Sequence, residues 1–546
     1  MDGRRQSEME AREAVQLGDY YRLLQLLNEG VVSADFVDQD DCSLLHWAAI
    51  NNRLPCAELV LNRGCNVNAV GGVLRSTPLH WAARQNHLKM VALLVSRGAD
   101  LSKRDVEGFT ALHVSAQLGN TPIVAYLISK GQSVDTPDVG MMTPAMWAVS
   151  KVFTSDPLTL LITMGANLSK SDSVYNNTTL HWAACHGNAT AVKILLNANV
   201  DLTCVNKENE TALDVASRRG DVVVARMIER AARARGVLPT TRVDRIVLKS
   251  VYARRCLAVV PVLTYLTLAL ILHLNAPPLL KAVFVVGTAA LAYVVVRPFS
   301  SDDVKRTIPV SFAATTKVVL MISWLVYLHA ISTWYMQISF TVLLFSLPFM
   351  FIRVCITDPG YINTTFKERC QTIASLAEGD QTKLAFCHTC LVIRPPRSKH
   401  CRDCNRCVRR FDHHCPWLNT CIALNNHCSF VVYLILLGVS TAFYSAGVLL
   451  YWRDVCGEIS VDSVLNCDHW LLATFVLTSL LFLWIAAFIF SQLYQIAMEV
   501  TTNERLNAHR YPQFTVGWHR FDVKSPFSRG IWRNFYEFFC GSTDGS

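Results

Sequence analysis

No apolar core follows the opening MDGRRQSEMEAREA, and the first 255 of the 546 residues are polar throughout. No secretory signal is therefore expected, so the 19 cysteines do not read as a secreted disulfide framework and the N-terminus is expected in the cytosol. Charge is scarce as well, 17% of residues against 51% hydrophobic. The scarcity lies beyond residue 255, in several windows of about 20 residues with almost no charge, the length that a ~30 Å bilayer core demands of a helix. A single soluble domain is excluded, and a polar half followed by a polytopic membrane half is expected. The net charge of +9 matters less than where Lys and Arg sit relative to the apolar runs, and no nucleic-acid partner is expected.

The polar half repeats itself. SLLH at Ser43, TPLH at Thr77, TALH at Thr110, TPAM at Thr143, TTLH at Thr178 and TALD at Thr211 recur at steps of 33 to 35 residues. Each opens a small-residue helix, followed by a second apolar helix and a turn with Gly or Asn, which is the ankyrin pattern of stacked helix pairs. With a degenerate unit over residues 11–38, six or seven repeats fill residues 1–232. His46, His80, His113 and His181 share one register and read as structural. Trp47, Trp81 and Trp182 share another and read as packing between helices, with a binding groove as the alternative. The array carries no catalytic signature.

A basic linker, 233–255, precedes six expected spans: Cys256–Leu274, Leu279–Val296, Ser311–Ile331, Met336–Ile356, Ser429–Trp452 and Trp470–Ala497. Lys281, Lys317 and Arg353 are expected near span ends, where long side chains reach the headgroups. The loops 275–278 and 332–335 have no Lys or Arg, whereas residues 357–428 carry ten and the tail 498–546 carries six. The positive-inside rule therefore places both termini and the cysteine-rich segment in the cytosol. On that topology the Asn-x-Ser/Thr sites are not glycosylation acceptors, and Cys456 and Cys467 share a luminal loop where a disulfide is possible.

Eight cysteines and five histidines crowd Cys387–Phe430, spaced C-x2-C-x9-H-C-x2-C-x2-C-x4-D-H-H-C-x5-C-x4-N-x3-F. In a reducing compartment this spacing points to structural zinc, each ion taking four Cys or His ligands. Cys387, Cys390, Cys401, Cys404, Cys407 and Cys421 plus two histidines would serve two ions if Cys415 is held back. Cys415 follows Asp412, His413 and His414, which puts a thiol, a base and an orienting carboxylate within four residues, as a nucleophilic cysteine requires. A further zinc ligand is the alternative reading of Cys415.

The segment resembles the cysteine-rich domain of the DHHC protein S-acyltransferases (palmitoyltransferases), with Pro416 and Trp417 after the tetrad. Three outlying motifs agree: Asp358-Pro359-Gly360 after span four, Thr501-Thr502-Asn503-Glu504 after span six, and SPFSRGIWRNF with Asn534. Ankyrin repeats ahead of six spans are similar to the huntingtin-interacting branch of that family. The resemblance implies an all-α chain, an ankyrin solenoid followed by a six-helix membrane bundle with an inserted zinc domain over 357–428. It implies one structural Zn²⁺ on Cys387, Cys390, His400 and Cys407 and a second on Cys401, Cys404, His414 and Cys421. Cys415 would be the acyl-accepting nucleophile, His413 the base and Asp412 its orienter, with palmitoyl-CoA as donor. Thr420 and Ala423 depart from the Asn and Gly usual there.

The resemblance also implies client proteins with cytosolic cysteines, captured through short extended Pro-containing segments at Asn51 and Trp81, and an endomembrane location, the Golgi above all. Membrane lipid surrounds the spans. Arg394, Arg397, Lys399, Arg409 and Arg410 either attract CoA phosphates or form a solvated basic surface. Cys428, His388 and His427 have no assigned role and read as solvent-facing. Two rivals remain: a six-span cation channel, which lacks an apolar re-entrant stretch in 453–469, and a membrane scaffold without activity.

Overall fold

The computed structural model describes residues 2–151, 156–239, 250–296, 306–379, 386–457, 464–465, 467–511, 514–516 and 523–541. It divides into two compact units, one of residues 1–240 with 364–393 and one of residues 241–363 with 394–546. Linker residues 240–249 and loop residues 297–305 and 458–463 lie outside the described set.

The first unit is a stack of helix pairs, and the recurring tetrapeptide explains how each pair starts and how it joins the next. In SLLH, Ser43 N donates to His46 Nδ1 at 3.0 Å, while Ser43 also caps the helix Leu44–Ile50. With Nδ1 accepting, the ring presents Nε2–H, which reaches the Ser76 carbonyl of the following repeat at 2.9 Å. His80 does the same with Thr77 and the Phe109 carbonyl, and His181 with Thr178 and the Glu210 carbonyl. A neutral imidazole thus satisfies a buried helix start and ties it to a backbone group about 30 residues on. In the last repeat Asp214 takes that place opposite Thr211. Leu, Val and Ala side chains of neighbouring pairs form one continuous core.

The helix that follows residue 365 packs with this array. Thr365 and Glu368 form a capping box that starts the helix Phe366–Glu378, which lies against the second helices of two repeats, Leu88–Ser96 and Thr121–Ser129. Tyr126 donates to Glu378 Oε1 at 2.9 Å, and Lys130 pairs with the same carboxylate.

In the second unit six helices are long and apolar enough to cross a membrane: Arg254–His273, Leu279–Val296, Thr307–Leu328, Trp334–Ile356, His427–Val455 and His469–Ala497. One such helix stands at each of the six spans expected from the sequence. The last two reach 29 residues, beyond the expected bounds, and the sixth starts at a polar cap, where Asp468 accepts from Trp470 N and Leu471 N. The third ends in a π-helical turn, Trp324–Leu328, packed against Gly447 of the fifth. A Cβ there would lie 2.7 Å from the Trp324 ring, so only glycine permits this approach. Lys281 is buried and donates to the Leu272 carbonyl at 2.9 Å. Lys317 departs from expectation: it sits inside the third helix, not at its end, and faces the bundle. Cys456 and Cys467 are joined by a disulfide.

Candidate active site

The cysteine-rich segment folds as three two-stranded hairpins with strands of two or three residues. β1 (Phe386–Cys387) pairs with β2 (Val392–Ile393), β3 (Lys399–Cys401) with β4 (Arg406–Val408), and β5 (His413–Cys415) with β6 (Thr420–Ile422), all antiparallel. The first belongs to the array unit and the other two to the membrane unit.

Cys401, Cys404, His414 and Cys421 bring their ligand atoms within 4.8 Å of one another. His414 Nδ1 lies 3.7 Å from Cys401 Sγ, 3.5 Å from Cys404 Sγ and 3.7 Å from Cys421 Sγ, and the sulfurs of Cys404 and Cys421 are 3.4 Å apart. A tetrahedral zinc with Zn–S of ~2.3 Å and Zn–N of ~2.0 Å has edges of roughly 3.5–3.8 Å. Three thiols and one imidazole at that spacing fit the ion. Cys404 N also donates to Cys401 Sγ at 3.5 Å, which compensates a thiolate. Of the other expected set, Cys387 receives the Cys390 N–H at 3.4 Å in the first unit. In the second unit His400 and Cys407 are cross-strand partners, with Cys407 Sγ 3.9 Å from His400 Nδ1.

Register decides which side chains of the tetrad do what. Along β5 successive residues point to opposite faces, so His414, opposite Cys421, turns to the metal site while His413 and Cys415 share the other face. His413 Nδ1–H donates to Asp412 Oδ2 at 2.6 Å, which leaves its Nε2 for Cys415. Asp412 is fully buried and over-determined: Thr502 N donates to Oδ1 at 2.6 Å, Thr502 Oγ1 to Oδ2 at 3.0 Å and Gln492 Nε2 to Oδ2 at 3.5 Å. Burial pushes its pKa up, but the fields of His427 and His413 and these donors hold it well below the usual carboxylate range. Burial lowers the His413 pKa, and the hydrogen bonds and charges of Asp412 and Cys415 outweigh it, raising it to about 9. Cys415 packs among Leu347, Met350, Val354, Phe430 and Tyr433, and Phe430 and Phe488 edge the His413 ring.

The outlying motifs all brace this site. Asp358 Oδ1 accepts Gly360 N and Tyr361 N at 2.8 and 2.9 Å, turning the chain so that the Gly360 carbonyl meets Arg409 N beyond β4. Pro359 lends its carbonyl to Asn425 N. Thr501 and Glu504 form a capping box that presents Thr502 to Asp412, and Glu504 accepts Arg397 Nε and Nη2 at 2.8 and 2.9 Å. Asn534, buried, donates to the Ala497 carbonyl at 2.7 Å and so pins the C-terminal helix Ile531–Cys540 to the end of the sixth span.

Several expectations need correction. Arg397 and Arg410 are not free for phosphate: both pair with Glu499 at 2.7 Å, and Arg397 also with Glu504. Lys399 donates to Asn503 Oδ1 at 2.6 Å, and Arg409 is exposed. His427 is not solvent-facing: it is buried, 2.7 Å from Gln492 Oε1, on the far side of the group that holds Asp412. Cys428 is half-buried, and His388 is exposed as expected. Gln492 and His427 are not legible as site residues because a lone polar residue in or beside an apolar run carries no signal of its partner, and Asp412 is 80 residues from Gln492. Thr420 is the cross-strand neighbour of Cys415, and Ala423 N meets Asn426 Oδ1 at 2.9 Å, so both departures fall on hairpin geometry and not on a ligand.

In the array, Asn51 caps its helix and donates to the Trp47 carbonyl at 2.9 Å. The indoles of Trp47, Trp147 and Trp182 donate to Asp38, Asp138 and Asp172 of their own repeats. At the matching place the second repeat has Gly71, and Trp81 Nε1 has no acceptor among the described residues. The Trp81 ring is half-buried with the Arg84 guanidinium 5.8 Å from its centroid.

Residues 380–509 match the DHHC palmitoyltransferase family, residues 12–105 and 145–233 match ankyrin repeats in three-copy sets, and residues 107–139 a further ankyrin repeat. Zebrafish (Danio rerio) palmitoyltransferase ZDHHC17 is 35% identical over 97% of this chain and 87% of its own length, and human ZDHHC17 is 34% identical over 97% and 86%. Palmitoyltransferase Hip14 of Drosophila melanogaster is 34% identical over 96% and 84%. The chain belongs to the DHHC palmitoyltransferases, in the branch that carries N-terminal ankyrin repeats. It is a multi-pass membrane enzyme of protein S-palmitoylation, with protein substrates and acyl-CoA as its reactants and cysteine–histidine clusters suited to zinc.

Proposed function

We propose that Cys415 is the acyl-accepting nucleophile of a ping-pong reaction, with His413 as its base and Asp412 as the orienter of that base. The observation that carries this reading is the row Asp412–His413–Cys415, in which a buried carboxylate fixes the ring so that one nitrogen faces the thiol. In the first half, Cys415 sulfur attacks the thioester carbon of palmitoyl-CoA, having given its proton to His413. The carbon–sulfur bond to CoA breaks, and the departing CoA thiolate takes the proton from the imidazolium. In the second half a client cysteine gives its proton to His413, attacks the acyl-Cys415 carbonyl and carries the chain away. A protonated His413 beside the sulfur stabilises the negative charge that appears there.

Two zinc ions, on Cys387, Cys390, His400 and Cys407 and on Cys401, Cys404, His414 and Cys421, hold the hairpins and take no part in bond making. The acyl tail lies in the apolar cavity between the third, fourth and fifth spans, where each methylene gains ~0.8 kcal/mol. Exposed Arg409 is a candidate for CoA phosphate. Both termini and the active site face the cytosol, and the protein resides in the Golgi. Asn51 and Trp81 capture extended Pro-containing client segments, the ring face packing on Pro. The division into 1–232, 233–255, 256–356, 357–428, 429–497 and 498–546 follows from these roles.

Purified protein incubated with palmitoyl-CoA is expected to gain a hydroxylamine-labile label, and Cys415→Ala and Cys415→Ser to gain none. A labelled Cys415→Ala protein sinks the nucleophile assignment. Asn51→Ala with Trp81→Ala is expected to lose client pull-down while keeping self-acylation, and unchanged pull-down refutes the capture site.

A further inference from the structure

The cavity between the third, fourth and fifth spans is mostly apolar and is lined by a single charged side chain. Lys317 stands on the same helical stripe as Leu320, Met321 and Trp324, at i, i+3, i+4 and i+7, so its side chain lines the cavity with theirs. Its Nζ is buried and has no hydrogen-bond acceptor among the described residues. It rests over two ring faces, 4.1 Å from the Phe351 centroid and 5.3 Å from that of Tyr433. Ring faces offset only part of the loss of hydration of an ammonium.

The other polar groups on the wall make weaker demands. Ser440 and Thr441 donate to carbonyls of their own helix, Leu436 at 2.7 Å and Gly438 at 2.9 Å, and Tyr444 donates to Thr474 at 3.0 Å. Trp324 Nε1 also lacks an acceptor, but it is a neutral donor stacked between Phe340 and Phe443. The cavity therefore presents one cation, with an aliphatic and aromatic path running on from it. Its place along that path is fixed too. Phe351 and Tyr433 pack in the cluster that holds Cys415, whereas Trp324 and Tyr444 pack in a separate cluster of the bundle. Lys317 stands at the Cys415 end.

We propose that this cavity is also a binding site for a long-chain fatty carboxylate, whose anionic head pairs with Lys317 and whose tail runs past Leu344 towards Trp324. A buried ammonium is completed by an anion, and an apolar path continuing from it selects an anion with an alkyl chain. Such a ligand occupies the space of the acyl tail and competes with acyl transfer to Cys415. The proposal rests on the reading of this cavity as the acyl site. The fatty acid comes from the bilayer or from hydrolysis of the acyl-Cys415 thioester by water, which releases the carboxylate and returns the thiol.

The test uses full-length Cys415→Ala protein in nanodiscs, where no thioester forms, and compares binding of radiolabelled palmitate with that of hexadecanol, which has the same tail and no charge. Palmitate is expected to bind about tenfold tighter or more, the worth of one charge-assisted hydrogen bond. Lys317→Met added to this protein is expected to erase the preference, and Lys317→Arg to keep it. Equal binding of the two probes overturns the proposal, and so does a preference that survives Lys317→Met. The comparison of probes needs no Lys317 variant to fold. Self-acylation of the Cys415 protein from palmitoyl-CoA, measured separately with added palmitate or hexadecanol, reports on the acyltransferase reading itself. Inhibition by palmitate alone supports bilayer fatty acid as a source. Inhibition that appears only after turnover assigns the carboxylate to hydrolysis.

Discussion

In the repeat array His46, His80 and His181 accept a backbone N–H on Nδ1 and donate from Nε2 to a carbonyl, whereas His413 donates from Nδ1 to a carboxylate and turns Nε2 to a thiol. Both kinds are buried in large part, yet burial lowers the pKa of the array histidines, and at His413 a carboxylate and a sulfur reverse that effect. The residue type is the same, and His413 is if anything the more exposed, its side chain 22% accessible against 0–2% for the array residues. What differs is the partner: neutral backbone groups leave a structural staple, and a carboxylate on one side of the ring with a sulfur on the other leaves a group that can hold a proton. His414 shows a third outcome one residue away, because the strand turns it to three sulfurs instead.

The contrast breaks most completely if the metal is removed. Chelation, or Cys404→Ser, is expected to unfold the hairpins that carry the tetrad, since structural zinc is worth on the order of 10 kcal/mol. Self-acylation should vanish while the helical circular-dichroism signal of the array remains. Retained activity after complete loss of zinc, measured by metal analysis, would contradict a structural role.

A smaller change targets the charge alone. Asp412→Asn keeps the shape but removes the anion and misdirects the His413 tautomer, and acyl transfer is expected to fall by roughly 10³–10⁴. The measurement is the initial rate of labelling from palmitoyl-CoA, with thermal stability checking that the fold is kept.

The smallest effect sharpens the array side. His181→Ala should cost about 1–3 kcal/mol of array stability through the lost buried hydrogen bonds, read as a lower melting temperature. Because burial sets the folded pKa of His46, His80, His113 and His181 below 6.5, the unfolded chain takes up protons first as the pH falls. Array stability is therefore full above that value and declines below it. His181→Ala should flatten the decline, and an unchanged slope would mean that this ring does not titrate with unfolding.

Much of this was legible beforehand for local reasons. The tetrapeptide period gives the array, because each repeat writes its cap and its core in the same few positions. Cysteine spacing gives candidate ligands, because hairpins hold their ligands close in the chain. Where the reading failed, the partner was remote. Arg397 and Arg410 look like a free basic patch until Glu499 and Glu504, some 90 to 107 residues away, arrive beside them. Lys317 looks like a snorkelling lysine until the helix places it inward, and the missing aspartate partner of Trp81 shows only when the repeats are laid over one another.

The sequence by itself determined the repeat architecture, the six apolar helices and the crowding of candidate metal ligands in one segment, all of which rest on spacing along the chain. Tertiary structure decided the environment of each group. Strand register sorted His413 from His414, and the capping box after the sixth span supplied the donors to Asp412. The bundle alone turned Lys317 into the one cation of an apolar cavity, since desolvation and field depend on what surrounds a group in space.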